Sequence, residues 1–204
     1  MEALILVDLQ NDFLPGGALA VPEGDQVIEV ANRLIPKFEL VIATQDFHPA
    51  NHQSFASQHS RKEVGEIIQL EGQEQILWPD HCISGTNGAE LASNLLRERI
   101  SHVVPKGTDP NIDSYSGFFD NGHRQVTGLH DLLQSHNINR LFIMGLATDY
   151  CVKFTVLDAL QLGHKVHLIQ DGCRGVNLNE GDVAHAIQQM QTSGARIINS
   201  DEIS

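Results

Sequence analysis

Leu4-Ile5-Leu6-Val7-Asp8 is the stretch on which the fold turns: four consecutive apolar residues that break off at a carboxylate. A run so short and apolar on both faces reads as a strand buried on both sides. An amphipathic helix would interpose polar residues at a period near 3.6, and a half-exposed strand would alternate. The same signature recurs at residues 40–43, 102–104, 141–144, 166–169 and 196–198. Between these runs, segment 25–38 places Val27, Val30, Ala31, Leu34 and Ile35 on one helical stripe. Segment 148–162 repeats the pattern with Val152, Val156 and Ala159, and Gly163 is placed to end it. Parallel strands need crossovers, and crossovers cover both faces of a sheet. The alternation therefore predicts the α/β class: three α/β/α layers around a mostly parallel central sheet of roughly six strands. An all-helical reading fails on the shortness of the runs.

The chain has 204 residues, 41% of them hydrophobic, which suits one core and a single domain over residues 1–204. Its formal charge of −13 gives a surface field that repels phosphate backbones and anionic lipid, so neither nucleic acid nor membrane is expected as a partner. Residues 1–8 lack the basic start of a secretory signal, and nothing approaches the roughly 20 apolar residues of a membrane span. Three cysteines, Cys82, Cys151 and Cys173, argue against a disulfide framework and for the cytoplasm.

In open α/β sheets, ligands bind beyond the carboxyl ends of the strands. Polar residues at or just past these ends include Asp8, Asp46, Lys106, Cys151 and Asp171. Thr148 is placed to N-cap the helix that follows, which would put Cys151 in a first turn whose N–H groups favour a thiolate and could hold an oxyanion. A free cysteine is more often buried and inert, and Cys173, in a loop after Gly172, is left with that reading. Lys106 alone would ordinarily reach for solvent, and Asp8 alone is costly at the end of so apolar a strand. Together they suggest an activated cysteine nucleophile with a carboxylate base and an orienting cation.

Asp46 and His48 are two apart and share a side in extended chain; with His81 they form a carboxylate and two imidazoles suited to zinc, iron or manganese. Spacing alone is weak evidence, since the chain has 11 histidines. His52 and His59 are lesser candidates by the same reasoning, and Cys82 is a weaker one than its neighbour His81. Residues 45–86 show little periodicity, and a stretch that long inside a compact fold is usually functional. No Gly-x-Gly-x-x-Gly, Walker loop or Gly-x-Ser-x-Gly elbow is present to support nucleotide binding or a serine hydrolase.

Five motifs in register resemble the nicotinamidase branch of the isochorismatase-like hydrolases: residues 7–13 (VDLQNDF), 46–49 (DFHP), 78–82 (WPDHC), Lys106-Gly107 with 115–118 (YSGF), and 145–152 (GLATDYCV). They span most of the chain. The resemblance implies the isochorismatase-like fold and hydrolysis of nicotinamide to nicotinate and ammonia in NAD salvage, with pyrazinamide as a second substrate. It implies Asp8, Lys106 and Cys151 as a triad, and one divalent ion, zinc before iron or manganese, on Asp46, His48 and His81. It further implies a cis Leu146–Ala147 peptide aiming the N–H of Ala147, with that of Cys151, at the oxyanion. Phe13, Trp78, Tyr115 and Leu146 would line the substrate. Where some relatives supply another metal ligand, six residues after His48, this chain has Ser54, which is expected to hold a metal-bound water. A related amidohydrolase of carbamoyl or ureido compounds, without the metal, and a non-catalytic metal-binding domain are the rival readings. The resemblance leaves open a monomer or a homo-oligomer.

Overall fold

In chain order the elements are β1 (Glu2–Val7), α1 (Gln26–Leu34), β2 (Val41–Asp46), β3 (Ile67–Leu70), β4 (Gln73–Ile76), β5 (His102–Lys106), α2 (Leu129–Ser135), β6 (Arg140–Leu146), α3 (Lys153–Gln161), β7 (Lys165–Arg174), α4 (Asp182–Thr192) and β8 (Arg196–Ile198). They come from a computed structural model that describes residues 1–203. Six strands form one sheet in the order β5-β2-β1-β6-β7-β8, and every neighbouring pair is parallel. The apolar runs become its centre: Ala3 through Val7 of β1 and Leu141, Ile143, Met144 and Leu146 of β6 have no exposed surface. Burying each large aliphatic side chain of this kind stabilises the fold by about 1.5–3 kcal/mol. β5 is an edge strand, which is why Val103 can stay 44% exposed and Pro105 can be accommodated.

The chain runs from β1 outward through β2 to β5, then returns to the other side of β1 with β6 and continues to β8. Right-handed crossovers made in opposite directions place their helices on opposite faces, so α1 covers one face and α3 with α4 the other. α1 packs on β6 and β7; α3 packs on β7 and α4, and α4 on β8. The order reverses between β1 and β6, which makes their carboxyl ends the switch point where such sheets open a crevice. Asp8 follows one of these strands and Cys151 lies beyond the other.

Four local expectations change. Residues 45–86 hold a hairpin, β3 against β4, whose two-residue turn Glu71-Gly72 has φ of 51° and 83°. This is the left-handed pair that the right-handed twist of a hairpin selects. Thr148 caps no helix: residues Thr148–Val152 form a π-type turn, entered at Ala147, before α3 begins. Cys173 is in β7 and not in a loop, with its thiol on the carbonyl of Ile169 at 3.3 Å. Asp171 also lies within β7, and its carboxylate accepts hydrogen bonds from the backbone N–H (2.8 Å) and hydroxyl of Ser200, away from the crevice.

Candidate active site

Strand register builds the first half of the site. Asp46 of β2 lies directly opposite Lys106 of β5, and Leu6 of β1 opposite Ala43 of β2, so the ends of three strands present Asp8, Asp46 and Lys106 together. The Lys106 side chain has no exposed surface. Its Nζ lies 2.9 Å from Asp8 Oδ2, 2.5 Å from Asp46 Oδ1, 2.8 Å from the Ser114 carbonyl and 3.4 Å from Cys151 Sγ. A buried ammonium tolerates desolvation only with such partners, and the lysine expected to snorkel when read alone is fully engaged. Asp8, with φ of 51°, accepts a hydrogen bond from the Thr44 hydroxyl at 2.6 Å.

These contacts set the charges. Burial lifts the Asp8 carboxyl to about 6, against the opposing pull of Lys106 and with help from the negative Asp46. For Asp46, burial is outweighed by Lys106 and His48, which hold its carboxyl well below the usual carboxylate range. Burial, with Asp8 and Asp46, pushes the Cys151 thiol up despite Lys106. The resting sulfur is thus a neutral thiol rather than the thiolate expected of a helix first turn. The cause is the burial of Cys151, a residue 7% exposed, beside two carboxylates.

The second half adjoins it through Asp46, whose Oδ2 is 3.7 Å from His48 Nε2 and 3.9 Å from His81 Nε2. His48 Nδ1 donates to the Gly107 carbonyl at 2.8 Å, and His81 Nδ1 to the Pro79 carbonyl at 2.7 Å. With Nδ1 committed to a carbonyl, each ring in its neutral form presents the Nε2 lone pair toward Asp46, the tautomer a metal ligand needs. Burial works to lower the His48 pKa, but without an ion the Asp46 carboxylate raises it above the usual imidazole value. His48 Nε2 is buried and has no hydrogen-bond partner among the described residues, and ligand atoms of Asp46, His48 and His81 lie within 4.8 Å of one another. Burial and the nearby His48 push His81 down to about 4, so its ring is neutral at physiological pH. The donor set fits a divalent ion. Gly107 makes room for the His48 ring: a Cβ there would come within 2.4 Å of His48 Cε1.

Between these halves a pocket is lined by Phe13, Trp78, Tyr115, Tyr150, Ala147 and Cys151, with Asp46, His81 and Asp113 at its polar side and Leu19 and Val176 completing the wall. Trp78 Nε1 and Gln75 Nε2 each donate to the Tyr115 hydroxyl at 3.0 Å, which fixes the aromatic walls. Larger hollows exist, such as one at Met1, Lys37 and His102, but it lies at the amino ends of the strands and holds no such convergence of groups.

The structure brings together Asp8, Lys106, Cys151, Asp46, His48, His81, Phe13, Trp78, Tyr115 and Ala147. The Leu146–Ala147 peptide is cis. Leu146 does not line the pocket: it is fully buried and turned toward Gly24, and Ala147 takes the wall position. Ser54 reaches toward the second histidine of this loop. Its hydroxyl lies 2.7 Å from His52 Nδ1. His59 bonds the Gln53 carbonyl at 2.8 Å, and Cys82 stays buried in the turn that carries His81.

Gln10 is one residue that sequence reasoning missed, as it did Asp113 and Tyr150 of the pocket. Its buried side-chain amide donates to the Asp46 carbonyl and accepts from the Asp46 N–H, both at 2.8 Å, while also donating to the Ala89 carbonyl. Asp12 likewise ties the Phe13 loop to the His81 turn by accepting from the Cys82 N–H at 2.7 Å. Both residues stand in the motif at 7–13, which was the available signal.

A parallel α/β sheet with a carboxylate, a lysine and a thiol meeting at its switch point, next to a two-histidine, one-carboxylate cluster, defines a class of hydrolase-like architectures. Within it, this chain belongs to the isochorismatase family, whose domain matches residues 2–202. It is similar to the nicotinamidase of Escherichia coli (strain K12), 59% identical over 200 residues that span 96% of this chain and 93% of that protein. Among solved structures, the nicotinamidase pyrazinamidase of Acinetobacter baumanii superposes with a TM-score of 0.97 at 43% identity, covering 100% of this chain and 98% of the other. The pyrazinamidase of Pyrococcus horikoshii, solved in complex with zinc, gives 0.79 at 39% identity, covering 97% and 98%.

Proposed function

We propose that this chain, as a single domain, is a metal-dependent cysteine amidase that hydrolyses nicotinamide to nicotinate and ammonia, with pyrazinamide as a second substrate. The observation that carries the reading is the position of Lys106 Nζ, in contact with Asp8, Asp46 and the Cys151 sulfur at once. The identity to nicotinamidases supports the substrate.

In the proposed path the carboxamide carbon approaches Cys151 with the heteroaromatic ring between Phe13 and the Trp78–Tyr115 wall. The thiol is neutral at rest, so Asp8 takes its proton as the carbon–sulfur bond forms, and Lys106 stabilises the charge that passes between them. The N–H groups of Ala147 and Cys151 hold the oxyanion. Asp8 then returns the proton to the departing nitrogen, which leaves as ammonia and yields a thioester. Asp8, again ionised, accepts a proton from water as that water attacks the thioester, and nicotinate leaves with the thiol restored.

Asp46, His48 and His81 would hold the metal. When bound, the ion supplies a Lewis-acidic anchor for the ring nitrogen. Zinc is favoured by the zinc complex of the Pyrococcus horikoshii relative, and the donor types suit iron and manganese as well. An amidohydrolase of carbamoyl compounds would have no use for this cluster. No helix of the described residues is long and apolar enough to cross a membrane. We place the enzyme in the cytoplasm, acting on free nicotinamide in NAD salvage without nucleic acid or membrane partners.

The test is ammonia release from nicotinamide by the metal-loaded protein and by Cys151→Ala. The variant is expected to fold normally and to lose at least about 1,000-fold in kcat, as loss of a nucleophile does. Turnover at the wild-type rate in that variant refutes the mechanism.

A further inference from the structure

His52 is fully buried; its ring faces the Ile112 backbone, but its Nε2 makes no hydrogen bond of ordinary geometry among the described residues. The ring is nevertheless held firmly. The Ser54 N–H donates to Nδ1 at 3.2 Å, the Ser54 hydroxyl lies 2.7 Å from the same atom, and the ring packs against His48 with centroids 4.3 Å apart. Because Nδ1 accepts from a backbone N–H, the ring proton of neutral His52 sits on Nε2, which makes that atom a donor and unsuits it as a metal ligand. Asp113 is the complement. Its carboxylate is buried, accepts from the Ser114 N–H at 2.7 Å and from Gln75 Nε2 at 3.2 Å, and lines the pocket beside Asp46 and His81. Polar atoms of His48, His52 and Asp113 lie within 4.8 Å of one another, so this group shares His48 with the Asp46–His48–His81 set.

An unpaired donor and a carboxylate acceptor, both buried and both next to a metal-ligand cluster, need an explanation of their own. Three protein donors leave open positions on a divalent ion, and water fills such positions. A water on a cation gives its protons to an acceptor and keeps a second lone pair for a donor.

We infer that His52 and Asp113 form the outer layer of the metal centre, holding the water molecules that complete the ion's coordination, and that Ser54 acts by fixing the His52 ring. The inference rests on the reading of Asp46, His48 and His81 as ligands. It makes His52 and Asp113 positioning residues for the ion. Outer partners of this kind typically alter metal affinity by about 10–100-fold.

The experiment is zinc affinity of the purified, metal-stripped protein by competition with a chromophoric chelator, for wild type, Asp113→Asn, His52→Phe and His52→Gln. Thermal midpoints of the metal-free proteins serve as the folding control. Asp113→Asn and His52→Phe are expected to weaken zinc binding about 10–100-fold, and His52→Gln, which restores an N–H near the Nε2 position, to recover most of that loss. If a variant does not fold, Ser54→Ala, which frees the ring without altering it, is expected to shift affinity in the same direction. Affinities within about twofold of wild type in the folded variants overturn the inference while leaving the ligand assignment standing. Loss of one imidazole from the zinc X-ray absorption spectrum of His52→Phe also overturns it, since His52 would then be an inner ligand. A wild-type protein without measurable zinc affinity overturns the metal-centre reading itself, and this inference with it.

Discussion

Replacing Lys106 with methionine keeps most of the side-chain volume and removes the one ammonium that contacts both Asp8 and Asp46. Breaking a buried pair by deleting one partner costs about 3–5 kcal/mol. Here the cost divides unequally. Asp8 already titrates at about 6 and can escape as a neutral acid. From pH 7.5, that protonation costs about 2 kcal/mol at about 1.4 kcal/mol per pH unit. Asp46, held ionised largely by Lys106, carries the remainder. In the variant the folded carboxyls retain protons that the unfolded chain releases above about pH 4, so the folded form binds more protons and loses stability as pH rises. At about 2–4 °C per kcal/mol for a protein of this size, the melting temperature of the metal-free variant should fall by about 6–20 °C at pH 7.5. At pH 5 the deficit should be less than half as large. Scanning calorimetry at the two pH values measures both. A drop below about 2 °C at pH 7.5, or equal drops at both pH values, would show that the lysine is not the counter-charge that the geometry makes it.

With Asp8 as the base, kcat/KM for amide hydrolysis should decline about tenfold per pH unit below pH 6, because protonation removes the acceptor; a flat profile from pH 4.5 to 8 refutes that role. His48→Ala should lower bound metal well below one equivalent by elemental analysis, and full occupancy would count against the ligand set. Gly107→Ala must displace the His48 ring and also place a side chain at φ of 63°. It should destabilise by about 1–3 kcal/mol in urea and shed metal; a wild-type midpoint with full metal would refute the close approach.

The sheet was legible because a buried parallel strand leaves a signature within four residues, and β1 and β6 each display it. The meeting of Asp8, Lys106 and Cys151 was legible because each stands at or just beyond the carboxyl end of such a strand. What escaped depended on contacts that no local pattern encodes. The β3–β4 hairpin, with residues of mixed polarity and partial burial, lacks clean alternation, and Gly72 after Glu71 was its one cue. The π turn at Thr148–Val152 follows from how β6 delivers the chain to α3, and a side chain suited to capping says nothing of that. Gln10 reads as an ordinary polar residue until Asp46, 36 positions away, is folded against its amide. Ser54 was placed by counting from His48, and counting does not reveal its contact with His52, two residues back.

The two oxygens of Asp46 answer to different masters, one to the ammonium and the other to the imidazole pair. An ion held on Oδ2, as proposed, would withdraw electron density that Lys106 senses through Oδ1, so loading the centre would shift the lysine's allegiance toward Asp8 and the sulfur. Preparations of uneven metal content would therefore be mixtures of two differently tuned nucleophiles. Their pH–rate curves should broaden, and they should sharpen again as the ion is restored to stoichiometry.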